Sequence, residues 1–397
     1  RTMTMVIRLT AVIFVFVLIL LLVSSSASEL STSWSSTSKN TPVVGILTQP
    51  WPNDHTLPPQ YYYIAGSYVK WLELAGVRSI AIPWDAGEDL VDELFYQIDG
   101  VLLAGGASGL PLAAQRIWNL TLAAHRHNDK YDNSDDDDDD EEGEERRIRR
   151  PGIEQHKKRN NTRSDYPFPL WGTCQGFEYL IQLAATDPTV LKSGFDSANI
   201  SLSLDLQNNE ADGETLLYGD PLIRTVVTTQ NVTFNHHEQG VSPGDFLNDQ
   251  GLTEMFVISS LNYDRNQKQF VSSIEPRDPR THPIYGVQYH PEKNTFEYGT
   301  YQGTNIPYQD INHSNNGIYF SVSMAQFFGR LIKQFVSSPN KYRHNYDDHD
   351  RHPLIYNYPV ILSDVFEQKY AIPSASHWKK KKNEDLVVAV EVETPTH

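Results

Sequence analysis

The chain predicts an α/β fold of one domain, a mostly parallel sheet covered by helices on both faces. Three observations carry that expectation. Between Pro42 and Ala185, apolar strand-like runs alternate with segments of helical spacing across short breaks, the order that builds a parallel sheet with helices on each side. Two of those strand ends carry glycine-rich turns, Gly105-Gly106 and Gly172-Thr173-Cys174-Gln175-Gly176, at the carboxyl ends where such sheets hold ligands. The later half turns strand-rich and closes with a long apolar helix.

Taken in order, residues 42–48 read as the first strand. Residues 61–75 read as a helix, with apolar side chains at 61, 64, 65, 68, 72 and 75 and Gly76 as its stop. A strand at 77–83, a helix at 88–96, a strand at 98–104, a helix at 110–125, a strand at 168–171 and a helix at 177–185 follow. Strands are then expected at 223–228, 255–261, 269–274 and 283–289, and a helix at 318–335. The domain spans 42–336, and residues 337–397 read as a solvated tail. Its histidines, His344, His349 and His352, lack metal-ligand spacing. Residues 128–164 interrupt the pattern with Asp135 to Asp140, four glutamates and then a basic block. Nothing there can bury apolar surface, so a solvated insertion is expected. With no interleaved aromatics and a net charge of −17, the basic block does not signal nucleic acid.

The first 27 residues read as a signal peptide. Arg8 precedes a run at 9–23 that is apolar except for Thr10, and Ser25-Ser26-Ala27 is a small-x-small cleavage site. The run is shorter than the roughly 20 residues of a spanning helix, and a Ser/Thr-rich linker fills 28–41. No stable membrane anchor is therefore expected after cleavage. Asn119, Asn160, Asn199, Asn231 and Asn312 head glycosylation sequons. Cys174 is the only cysteine; secreted domains of this size usually carry disulfides, so a lone thiol suits a catalytic role in a reducing, acidic vesicle. A lysosome or vacuole is the expected destination, with extracellular release second.

Cys174 stands where a buried strand bends sharply into a helix. A sulfur there points at helix-end N–H groups, which favour the thiolate, and the flanking glycines suit a crowded nucleophile elbow. Gln175, next in the chain, offers a backbone N–H to an oxyanion. Downstream, Tyr285-Gly286-Val287-Gln288-Tyr289-His290-Pro291-Glu292-Lys293 ends a strand on His290, with Glu292 two residues on. A thiol nucleophile needs an imidazole to move its proton and a carboxylate to orient the ring. Cys174, His290 and Glu292 are thus the candidate catalytic residues. Glu178, behind the elbow, reads as structural.

Gly-x-Cys-x-Gly followed far downstream by His-Pro-Glu resembles the class I glutamine amidotransferase-like superfamily. Gly172 to Glu178, Tyr62 to Glu73 and Gly286 to Lys293 are similar, more narrowly, to the gamma-glutamyl hydrolase family, the folate polyglutamate hydrolases. The likeness runs from about residue 42 to about 336. It implies a cysteine hydrolase that cuts gamma-glutamyl amides of folylpolyglutamates through a thioester, without metal or organic cofactor. It also implies Gly106 as the second oxyanion donor, and His237 in Asn235-His236-His237 as the substrate-neighbouring histidine. Two alternatives stay open: another gamma-glutamyl amidase or glutaminase, and a non-enzymic secreted glycoprotein keeping the fold. The oligomeric state, a homodimer included, stays open too.

Overall fold

The computed structural model describes residues 41–50, 60–126, 168–207, 215–337, 353–363 and 367–380. The chain divides into two compact units, Arg1–Thr41 and Pro42–His397. The expected signal peptide, the linker up to residue 40, the insertion at 128–164 with Asn160, and His344, His349 and His352 lie outside the described residues.

The alternating half comprises β1 (Val43–Leu47), β2 (Gln49–Pro50), β3 (Tyr61–Ala65), α1 (Gly66–Leu74), β4 (Arg78–Ile82), α2 (Glu88–Phe95), β5 (Gly100–Leu103), α3 (Leu112–Arg126), β6 (Leu170–Thr173) and α4 (Gln175–Ala184). Next come β7 (Lys192–Leu202), β8 (Asp205–Leu206), α5 (Pro221–Thr229), β9 (Thr233–Gly240), α6 (Pro243–Asn248), α7 (Gln250–Met255) and β10 (Phe256–Tyr263). Then follow β11 (Gln269–Pro276), β12 (Ile284–Val287), α8 (Lys293–Phe296), α9 (Asn315–Val336), β13 (Val360–Ser363), β14 (Glu367–Pro373) and α10 (Ala375–Lys380).

The main sheet runs β4-β1-β5-β6-β12-β11-β10-β8. Its first five strands are mutually parallel, and its last three are antiparallel additions. Parallel strands are buried on both faces because their crossovers are helices. Here α1, α5 and α9 cover one face with Val69, Trp71, Ile223, Val226 and Phe328. On the other face α2, α3 and α4 pack Val91, Leu94, Ile117, Phe177 and Leu180. The expected fold class holds, and so does the long closing helix.

Three expectations are corrected. Residues 61–65 are strand, not helix: β3 pairs antiparallel with β14, Tyr63 opposite Ala371, and with β2, Tyr63 opposite Gln49. Consecutive tyrosines suit a pleated strand, so helix begins only at Gly66 and stops, as expected, before Gly76 at φ 69°. Residues 223–228 are helix, not strand. Asp220 caps it by accepting from the Leu222 and Ile223 amides, Pro221 occupies its first turn, and Ile223, Val226 and Val227 form its buried stripe. Finally, part of the expected solvated tail folds back. Ile355, Ala371 and Ile372 are fully buried, and β13 and β14 extend the small sheet that holds β3.

Candidate active site

Cys174 joins β6 to α4 with φ 52° and ψ −110°. A residue with a Cβ in that region stores on the order of 1–3 kcal/mol of strain and persists only where its surroundings hold it. They do. The Cys174 amide donates to the Val287 carbonyl at 2.8 Å, and the Glu178 amide donates to the Cys174 carbonyl at 3.0 Å. The flanking glycines are demanded by contact: a Cβ on Gly172 would lie 2.6 Å from the Gly176 carbonyl oxygen, and one on Gly176 would strike the Leu103 carbonyl.

His290 follows the neighbouring strand β12, its backbone fixed by a 2.8 Å donation from its amide to the Phe234 carbonyl. Its Nδ1 meets Glu292 Oε1 at 2.7 Å, and both side chains are buried. A carboxylate on Nδ1 fixes the ring's orientation and leaves Nε2 for chemistry. The other oxygen, Oε2 of Glu292, is buried without a partner among the described residues. Gly105 lies between the two candidate groups. A Cβ there would sit 2.8 Å from His290 Cε1, 3.3 Å from Cys174 Cβ and 2.7 Å from the Tyr68 hydroxyl. The thiol, the imidazole and the Gly105-Gly106 turn therefore meet at one point above β5, β6 and β12.

That turn is braced from both sides. The Gly105 amide donates to the Tyr68 hydroxyl at 2.8 Å, and the same hydroxyl lies 3.4 Å from His290 Nδ1. Gly106 is packed so closely that a Cβ would strike the Gln49 side chain and lie 2.8 Å from Gln175 Oε1. Gln49 Nε2 donates to the Ala104 carbonyl at 3.0 Å, and Ser108 Oγ bridges Gln49, Gln175 and Tyr179. Gln175 Nε2 donates back to the Ser108 carbonyl. This polar lattice holds the two backbone segments facing each other.

Electrostatics at the sulfur differ from the expectation built on the helix end alone. Burial pushes the Cys174 thiol well above its ordinary range, and Glu292, together with Glu178 when ionised, pushes it further. The Gln175 backbone N–H and the Lys293 ammonium pull only partly against this. The S–H instead points at the His236 carbonyl, 3.9 Å away. Burial thus works against the thiolate that the helix end favours.

His236 and His237 sit on β9 with different neighbours. The His236 ring stacks over Phe234 at 6.2 Å and accepts from the Asn199 amide at 3.1 Å. The His237 ring is buried edge-on to Phe270 at 4.8 Å, with Nδ1 donating to the Gln239 carbonyl at 2.7 Å. Burial pushes the His237 imidazole down to about 4, and partial desolvation moves the more exposed His236 ring the same way, with nearby His290 adding to both. Of the pair, it is His236 that touches Cys174, through its carbonyl.

Sequence reasoning missed several members. Tyr68 lay within the Tyr-rich helix used for the resemblance, but nothing local marked its hydroxyl as the brace of Gly105. Lys293 was visible only as the residue after His-Pro-Glu. It is 2% exposed, donates to Glu297 Oε2 at 2.5 Å and Gln309 Oε1 at 2.9 Å, and Ser67 Oγ donates to Glu297 Oε1 at 2.6 Å. Among the described sequons Asn119, Asn199 and Asn231 are exposed, whereas Asn312 Nδ2 already donates to the Asn231 carbonyl at 2.7 Å. Among the described residues no cluster of His, Cys, Asp and Glu is arranged to hold a metal ion. No helix among them is long and apolar enough to cross a membrane.

Comparison with known proteins meets this geometry from outside. A family model described as Peptidase C26 matches residues 42–130. Gamma-glutamyl hydrolase from Bos taurus is 29% identical over 339 residues, covering 83% of this chain and 89% of that protein. The Homo sapiens gamma-glutamyl hydrolase is 28% identical over 352 residues, 86% of this chain and 92% of that one. Among solved structures, a glutamine amidotransferase from Methylobacillus flagellatus aligns with 77% of this chain and 98% of its own at 11% identity, with a TM-score of 0.36, too loose to bear on the fold. Gamma-glutamyl hydrolase B from Dictyostelium discoideum is 30% identical over 325 residues, spanning 81% of this chain and 80% of that protein, and the chain belongs to the gamma-glutamyl hydrolase family.

Proposed function

We propose that this protein hydrolyses the gamma-glutamyl amide bonds of folylpoly-gamma-glutamates through a thioester on Cys174. The observation that carries the reading is the buried 2.7 Å contact between His290 and Glu292, set across Gly105 from a thiol on a strained elbow. As the sulfur attacks the amide carbon, His290 Nε2 takes the S–H proton. The resulting oxyanion accepts from the backbone N–H groups of Gln175 and Gly106. The C–N bond then breaks, and His290 returns the proton to the leaving nitrogen. Water, deprotonated by the same imidazole, attacks the thioester, and the sulfur leaves with its proton restored. Because burial favours the neutral thiol, proton transfer to His290 accompanies attack rather than preceding it. Glu292 holds the ring and stabilises the imidazolium that forms.

The substrate class rests on the family and on the resemblance of the Cys174, Tyr68 and His290 segments to folate polyglutamate hydrolases. Incubating the purified protein with a pteroylpentaglutamate and reading products by mass spectrometry tests it. Shortened pteroylglutamates support the proposal. Release of ammonia from glutamine with the pteroylpentaglutamate untouched would point to a glutaminase instead.

A secretory route to a lysosome- or vacuole-like compartment belongs to the same proposal. It is supported by the charged start and apolar run at 9–23, the small-residue cleavage site at 25–27 and the lone cysteine. Expression with a C-terminal fluorescent tag tests it; a uniformly cytosolic signal would overturn it.

A further inference from the structure

Four residues after Cys174, in the first turn of α4, stands a carboxyl that the reaction does not use. Glu178 is 6% exposed and makes no ion pair among the described residues. Its side-chain partner is Gln288, just past the end of β12, whose Nε2 donates to Glu178 Oε1 at 3.1 Å. Gln288 is itself fully buried, its backbone amide donating to the Ser272 carbonyl at 2.8 Å. Its carboxamide oxygen is buried without a partner among the described residues. A buried polar atom without a partner is costly, so such an orphan calls for an explanation. A carboxylate can only accept, and it would leave that oxygen bare. A carboxylic acid can accept from the Nε2 amide and donate its own O–H to the orphaned oxygen, closing a two-bond ring.

We propose that Glu178 is held by Gln288 as a neutral carboxylic acid, and that this keeps a second negative charge away from the Cys174 sulfur. Glu178 is then a positioning residue, acting on the nucleophile through its protonation state rather than by touching substrate. The inference rests on the reading of Cys174 as the nucleophile. The burial of the carboxyl agrees with it, raising the group to about 7 against the single lowering donor Gln288. The titratable groups that its charge reaches are Cys174 and Tyr179, both pushed upward by it. From the elements packed around the thiol, Glu292 and Lys293 act on Cys174 with opposite signs. Gln288, the element's own contribution against Glu178, is uncharged. Below about pH 7 the sulfur faces one carboxylate, that of Glu292; above it, two. The acid–amide pair thus couples thiol ionisation to neutral pH from within the fold.

The test uses the fact that Cys174 is the only thiol in the chain. Its alkylation by iodoacetamide is followed from about pH 5 to about pH 10 in the wild type and in Glu178→Gln. An amide–amide pair keeps both hydrogen bonds without the charge, so the variant preserves the geometry. At about pH 5 the two rates are expected to agree within about twofold, and the alkylation midpoint to fall by about one unit in the variant. Superimposable profiles over the whole range overturn the proposal. Should the variant not fold, carbon-13 glutamate spectra of the wild type decide. A side-chain carboxyl resonance must titrate near pH 7 and shift when Cys174 is alkylated. Glu275, which burial also raises to about 7, serves as the internal reference that should not respond. Absence of a thiol-sensitive titrating resonance overturns the proposal. Neither readout uses a gamma-glutamyl substrate, so failure of the hydrolase reading is seen separately, in the pteroylpentaglutamate assay.

Discussion

Gly172→Ala perturbs the elbow without removing any reacting group. A methyl added there would lie 2.6 Å from the Gly176 carbonyl oxygen, 2.7 Å from its carbonyl carbon and 2.8 Å from Leu180 Cδ1. Ordinary contact begins at 3.4 Å, so the first turn of α4 must retreat by about 0.8 Å, since the opposing atoms are backbone and interiors are close-packed. The retreat is resisted: Cys174 is tied to Val287, and the next glycine abuts the Leu103 carbonyl. Overpacking of this kind costs about 1–3 kcal/mol, or a melting temperature lower by about 2–6 °C in a chain of this size. Misplacing a nucleophile by nearly an ångström costs up to about 100-fold in rate. Calorimetry and kcat/KM on a pteroylpolyglutamate measure the two effects. The control is Gly244→Ala, where the nearest atom is 4.0 Å away, expected within about 1 kcal/mol of wild type. A Gly172→Ala protein within about 1 °C and threefold of wild type would refute the claim that the elbow is held by contact.

Three further outcomes are expected. Glu292→Gln should lower kcat by about 10²- to 10⁴-fold with the fold intact by circular dichroism, because the 2.7 Å carboxylate contact holds the His290 ring in one tautomer; a loss below about threefold would contradict the orienting role. Replacing 128–164 with a short Gly/Ser linker should leave kcat/KM within about threefold, since its charged, apolar-poor sequence offers no core contribution and chain closure depends only weakly on length; collapse of activity in a folded variant would mean the segment shapes the cleft. Stability should peak in mildly acidic solution. Glu178 and Glu275 are raised to about 7, so their contribution is full below the ordinary carboxyl range and is lost as pH rises through about 7. His237, depressed to about 4, contributes stability that is lost as pH falls from about 6.5. Melting temperatures across about pH 4 to 9 check this, and a flat profile above about pH 6 would contradict it.

Much of the site was legible because its chemistry lies in contiguous runs. The glycines around Cys174 and the His290-Pro291-Glu292 sequence state their local geometry directly, and alternation from β1 to α4 states the parallel sheet. What stayed hidden depends on partners far along the chain. Tyr61–Ala65 carries apolar spacing that fits a helix, and pairing with β2 and with the distant β14, near residue 370, makes it a strand. In α5 the β-branched Ile223, Val226 and Val227 read as strand, while their helical spacing and the Asp220 cap decide otherwise. The Cys174 thiol illustrates the same limit electrostatically: the helix end is a local feature, but burial and the Glu178 and Glu292 carboxylates come from the assembled fold. Tyr68 and Gln288 likewise gain their roles only through contact.

Whether Cys174 carries the acyl group can be read directly. Mixing the wild-type protein with an excess of pteroylpolyglutamate at about pH 5 and quenching in acid within the first turnover allows the intact protein mass to be read. The expected result is a pteroyl-gamma-glutamyl adduct on the peptide containing Cys174, labile to hydroxylamine and absent from Cys174→Ala. Product formation by folded Cys174→Ala at a rate near wild type would contradict it.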